Sequence, residues 1–95
     1  MKPAAFDFES YLIAPGRLAP RPVCLTHRVE DERPDLLTPA AGLDWLEDQP
    51  PDPASLLAGA NTAYDIGVAL EARPALLEIV VDAYEADRVV AVQII

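Results

Sequence analysis

Leu56-Leu57-Ala58-Gly59-Ala60 is apolar without interruption, and Ser55 to Ala60 reads as a buried central strand. A strand of that kind needs neighbours along both edges and cover on its faces, so the flanking segments must supply strands and helices. Ala4 to Phe8 is small and apolar with Asp7 embedded, and reads as a first strand. Pro15-Gly16 and Pro20 punctuate the loop after it, in which Arg17 and Arg21 are expected to be solvated. Val23 to Val29 alternates as a second strand, with Val23, Leu25, His27 and Val29 on one face and Cys24, Thr26 and Arg28 on the other. Glu30-Asp31-Glu32-Arg33-Pro34 is a charged, solvated turn, and Asp35 to Thr38 suits a short edge strand.

Thr38-Pro39 marks a helix start, with Thr38 as N-cap and Pro39 at the first helical position. That helix runs through Leu43, Trp45 and Leu46 until Gln49-Pro50-Pro51-Asp52-Pro53 stops it and forms a rigid connector. Ala63 to Arg73 is helical and is halted by Pro74. Ala75 to Asp87 follows as another helix, with Leu76, Leu77, Val80, Val81 and Tyr84 at helical spacing. Arg88 to Ile95 is β-branched and apolar, a last strand. The order predicts an α/β domain: an antiparallel three-strand meander, then parallel strands reached through helices that lie on the sheet's faces.

Ninety-five residues with 52% hydrophobic content make one small domain with a thin core. No apolar stretch is long enough to span a bilayer, and Asp7 and Glu9 interrupt any signal-peptide core. The single cysteine, Cys24, has no partner for a disulfide and reads as a small buried hydrophobe. A cytoplasmic location is expected from this. The last seven residues, Val89 to Ile95, end on apolar side chains, so the chain is expected to stop inside a larger domain. The uncovered last strand would then offer an edge for self-association.

Sixteen acids against seven bases give a net charge of −9, which repels a nucleic-acid backbone at long range. Any nucleic-acid role must therefore depend on a local site where metal ions invert the field. Three acids stand out. Asp7 and Glu9 lie two residues apart in a strand, so they share a face at roughly 6.5–7 Å along the backbone. Asp65 follows the central strand, at or near a helix start that favours an ionised carboxylate. Carboxylates in apolar surroundings are costly without a compensating cation. Were the fold to bring Asp7, Glu9 and Asp65 together, their oxygens would suit Mg²⁺ or Mn²⁺, and a two-metal site hydrolyses phosphodiesters. Asn61 either caps that helix or faces the site.

Phe6-Asp7-Phe8-Glu9-Ser10 resembles the first motif of the DEDD superfamily of 3′–5′ exonucleases, aspartate, any residue, glutamate, then threonine. Asn61-Thr62-Ala63-Tyr64-Asp65-Ile66-Gly67 is similar to the second, an asparagine followed by an aromatic-aspartate pair. The likeness is strongest to the proofreading domains that precede family A DNA polymerases of bacterial and phage type, and it covers essentially the whole chain. It implies a ribonuclease H-like fold and a catalytic, metal-binding trio of Asp7, Glu9 and Asp65. It implies that Ser10, Asn61 and Tyr64 hold the terminal nucleotide of a single-stranded DNA 3′ end. Residues 1–95 would be the N-terminal part of one exonuclease domain, continuing into a polymerase. The family's third motif, a tyrosine or histidine with a later aspartate, has no counterpart, since Asp82 and Asp87 come too early. The chain alone is therefore expected to be inactive or nearly so, and the alternative is an inactive scaffold or interaction domain of the same fold.

Simpler roles suit the remaining candidates. His27 is read as a partly buried structural residue and Trp45 as core, while packing accounts for Tyr11 and Leu12 as well as a terminal base does.

Overall fold

The structure is a computed structural model that describes residues 2–12 and 14–92. In chain order the elements are β1 (Lys2–Ser10), β2 (Pro22–Val29), β3 (Asp35–Leu37), α1 (Pro39–Asp48), β4 (Ser55–Gly59), α2 (Thr62–Ala72), a 3₁₀ turn (Pro74–Leu76), α3 (Leu77–Glu85) and β5 (Val89–Ala91). The described strands form one mixed sheet in the order β3-β2-β1-β4-β5. β1, β2 and β3 are an antiparallel meander, whereas β4 runs parallel to both β1 and β5. The α/β class, the meander and the parallel second half are as the sequence predicts. Of the segment expected to be the last strand, residues 93–95 lie outside the described residues. No described helix is long and apolar enough to cross a membrane.

Strand alternation separates the two faces of the sheet. Ala4, Phe6 and Phe8 of β1, Leu25 of β2 and Leu57 of β4 are buried on one side. Leu43 and Leu46 of α1, Ile66 and Ala69 of α2, and Val80 of α3 join them in one cluster. The intervening residues Ala5, Asp7, Glu9, Thr26 and Arg28 are exposed. The helices were expected on the sheet's faces; all three instead pack into the cluster on a single face. All three helices belong to crossovers, α1 between β3 and β4 and α2 with α3 between β4 and β5, and these carry them to the same side of the sheet.

Local chemistry explains how the helices are held there. Thr38 caps α1 with its hydroxyl, which accepts from Ala41 N–H at 3.4 Å, and Pro39 follows it. Gly42 lets α1 lie against β2, because a β-carbon there would stand 2.8 Å from Leu25 Cβ. Trp45 is half-buried and stacks on His27 with ring centroids 4.7 Å apart, which agrees with structural roles for both. The proline connector is tied down by Arg88, whose Nη1 donates to the carbonyls of Pro50, Asp52 and Ser55 at 2.8, 2.9 and 3.3 Å. Leu76 of the 3₁₀ turn and Val80 and Ala83 of α3 are buried while Leu77, Val81 and Tyr84 are exposed, so the apolar arc is wider than the face it covers.

Candidate active site

The pairing of β1 with β4 ends at Ala5↔Ala58, and the first turn of α2 follows directly. The Thr62 hydroxyl, 3.0 Å from Gly59 O and 2.7 Å from Val90 O, donates to these carbonyls and anchors the helix start between β4 and β5. Gly59 makes the close approach feasible, since a β-carbon there would stand 2.9 Å from Phe6 O and 3.2 Å from Thr62 Oγ1. Asp65 sits in that first turn and is only 2% exposed. Its Oδ1 accepts the Phe8 N–H at 3.4 Å, on the main chain between Asp7 and Glu9. Its Oδ2 is buried with no hydrogen-bond partner.

Burial pushes the Asp65 carboxyl up to about 6, and the charge of Asp7 adds to it. The Phe8 N–H opposes the rise, and Glu9 contributes to it. From the sequence alone, a helix start was expected to keep Asp65 ionised; desolvation and two neighbouring acids instead favour its protonated form, against the opposing Phe8 N–H. Asp7 and Glu9 lie on the exposed face of β1, opposite Thr26 and Cys24 of β2. The ladder shifts register between Glu9 and Ser10, a bulge at the end of the acidic strand.

Ser10 and Tyr64 meet across this junction, their hydroxyls 3.3 Å apart. Asn61 precedes α2 without a side-chain capping bond, which leaves its amide uncommitted to the helix. Beyond Tyr64 opens a groove of about 560 Å³, lined on one side by Ala63, Tyr64 and Gly67 and on the other by Leu18, Ala19 and Pro20. Ser10, Tyr11 and Leu12 close its near end. A shallower depression of about 250 Å³ lies beside Asp7, with Thr26, Arg28 and Ala60 among its walls.

Carboxylate oxygens are hard donors, and the orphaned Oδ2 of Asp65 is the kind of buried acceptor that a divalent cation would satisfy. In donor chemistry Asp7, Glu9 and Asp65 fit Mg²⁺ or Mn²⁺. Among the described residues, however, no group of three or more His, Cys, Asp or Glu side chains is arranged to hold an ion as it stands. Asp65 is buried behind the strand that displays the other two, so the acids are neighbours without closing on one point.

Sequence reasoning missed the far wall of the groove. Arg17, expected to be solvated, is half-buried, with Nε donating to Ala19 O at 3.2 Å and a guanidinium nitrogen 3.6 Å from Glu71. These contacts fold the loop after β1 back over α2, and no local motif announces them. Cys24, expected to be buried, is half-buried across from Glu9. The chain matches no family model, no curated protein and no solved structure.

Proposed function

We propose that residues 1–95 form the N-terminal part of a ribonuclease H-like 3′–5′ exonuclease domain, attached to a DNA polymerase in a longer chain. The observation that carries this reading is the Asp65 carboxylate held on the Phe8 N–H between Asp7 and Glu9, with one oxygen unpartnered. Mg²⁺ or Mn²⁺ bound by Asp7, Glu9 and Asp65 would supply water activation and charge neutralisation at a phosphodiester. The chain's own part is to orient the substrate. Tyr64 and Ser10 present paired hydroxyls beside the acids, Asn61 contributes a free amide, and the adjoining groove takes the end of a single strand. With a net charge of −9, binding of that strand depends on the cations.

A second reading is favoured by a specific observation, the lack of a ready-made metal cluster among the described residues. It makes the domain a catalytically inactive scaffold. Calorimetric titration with Mn²⁺ of the chain and of Asp7→Ala separates the two. The nuclease reading expects binding that the substitution weakens at least tenfold, on the scale of losing a metal ligand; no acid-dependent binding would end it. A longer chain continuing past Ile95 should degrade a single-stranded oligonucleotide only with divalent metal, and inactivity there favours the scaffold.

A further inference from the structure

Asp65 is kept in place by its helix more than by its own bonds. Its one hydrogen bond, from Phe8 N–H, is 3.4 Å long, and its second oxygen has no partner among the described residues. Burial and the charge of Asp7 both disfavour the ionised form. Asn61 gives the helix no side-chain cap. Whatever fixes the first turn of α2 therefore fixes the acid.

Thr62 opens that turn, three residues before Asp65 and on the same side of the helix. It is buried, and its hydroxyl has one hydrogen for two carbonyls, Gly59 O at 3.0 Å and Val90 O at 2.7 Å. Gly59 O already accepts the Val92 N–H at 2.8 Å, so the shorter bond, to Val90 O, is the one the hydroxyl serves. Among the described residues, no other side-chain hydrogen bond between α2 and the sheet is as short. Val90 belongs to β5, a three-residue strand at the sheet's edge. A β-carbon at Gly59 would stand 3.2 Å from Thr62 Oγ1 and 3.9 Å from Asp65 Oδ2, so the hydroxyl and the orphaned carboxylate oxygen flank the same glycine.

We propose that Thr62 is a positioning residue: by bonding Val90 O it pins the first turn of α2 to β5 and holds the Asp65 carboxylate within reach of a cation on Asp7 and Glu9. This rests on the nuclease reading of those acids. It makes cation binding depend on an edge strand that carries none of the ligands. The hydroxyl, and not the bulk of the side chain, is what the role requires.

Calorimetric titration with Mn²⁺ tests this on the wild-type chain, Asp7→Ala, Thr62→Val and Thr62→Ser, with thermal melts of each in a chelator. Thr62→Val keeps the shape of the side chain and loses the hydroxyl. It should weaken Mn²⁺ about tenfold, the scale of removing a partner that orients a metal ligand. Thr62→Ser keeps the hydroxyl and loses a buried methyl, so it should melt below the wild type and still bind Mn²⁺ with wild-type affinity. A purely structural role does not separate affinity from melting temperature in this way. Wild-type affinity in Thr62→Val overturns the assignment while the acidic site stands. An equal loss in both variants overturns it too, because packing of the methyl would then be what matters. Should Thr62→Val give no cooperative melt, Thr62→Ser decides alone: wild-type affinity upholds the assignment, and a loss of about tenfold refutes it. If the wild type shows no Mn²⁺ binding that Asp7→Ala weakens, the assignment and the nuclease reading fail together.

Discussion

Asp65 shows how a single residue can oppose the fold that contains it. Its carboxyl is raised from 3.8 to about 6 in the folded chain. An acid with a raised pKa binds its proton more tightly when folded, so its contribution is fully present below about pH 4 and is lost as pH climbs through 6. At neutral pH the ionised form costs about 3 kcal/mol in the metal-free protein. Urea unfolding in a chelator should therefore show stability falling between pH 4 and 7. Asp65→Asn should flatten that slope and gain about 1–3 kcal/mol at pH 7.5, and a slope that survives the substitution would refute this origin. Mn²⁺ should reverse the trend for the wild type, since a cation binding the carboxylate stabilises the folded state alone. Gly42 is the steric counterpart. Gly42→Ala must displace α1 from Leu25, and should lower stability by about 1–3 kcal/mol in the same assay.

At the scale of elements, Thr38, expected to cap its helix, and Asn61, for which capping was one of two alternatives, behave differently. Thr38 makes its capping bond and Asn61 does not. Thr38→Ala should cost about 0.5–1 kcal/mol, whereas Asn61→Ala should leave stability within about 0.5 kcal/mol of wild type. Thermal melts of the two variants check this, and an equal cost would mean that Asn61 caps α2 after all. Arg88 joins the connector before β4 to the strand at the sheet's edge by three carbonyl acceptors. Arg88→Met keeps much of the side-chain volume and loses these bonds, so a loss of about 2–3 kcal/mol is expected on urea unfolding.

The whole molecule is strongly acidic, and its few ion pairs leave most acids uncompensated among the described residues. Raising NaCl from about 0.01 to about 0.15 M shortens the screening length from ~30 to ~8 Å, so repulsion should weaken more than the exposed pairs do. The melting midpoint should rise accordingly, and a fall would show that the ion pairs dominate. The helices crowd one face of the sheet, and the other presents Asp7 and Glu9 openly. That asymmetry leaves the two strand acids accessible, with no second wall over them among the described residues.

Element types were readable because each depends on neighbours a few residues away. The alternation of β2, the Thr38-Pro39 start and the Pro74 stop are local effects, and so the meander and the parallel direction of the later strands followed from them, while the position of β4 beside β1 came from packing. Alternation in β1 put Asp7 and Glu9 on a shared face; that this face is open to solvent, rather than set in apolar surroundings that would desolvate them, came from the packing of the helices on the other side. No local rule could say that Asp65 would be desolvated against Phe8 N–H, that Arg17 would reach Glu71, or that Gly67 would border open space. Each of these joins segments far apart in the chain, and burial and Coulomb energy depend on distances that only packing sets. The sequence by itself thus determined the strands, the helices and the facing of two acids; tertiary structure alone decided the environment of the third and the groove beside it.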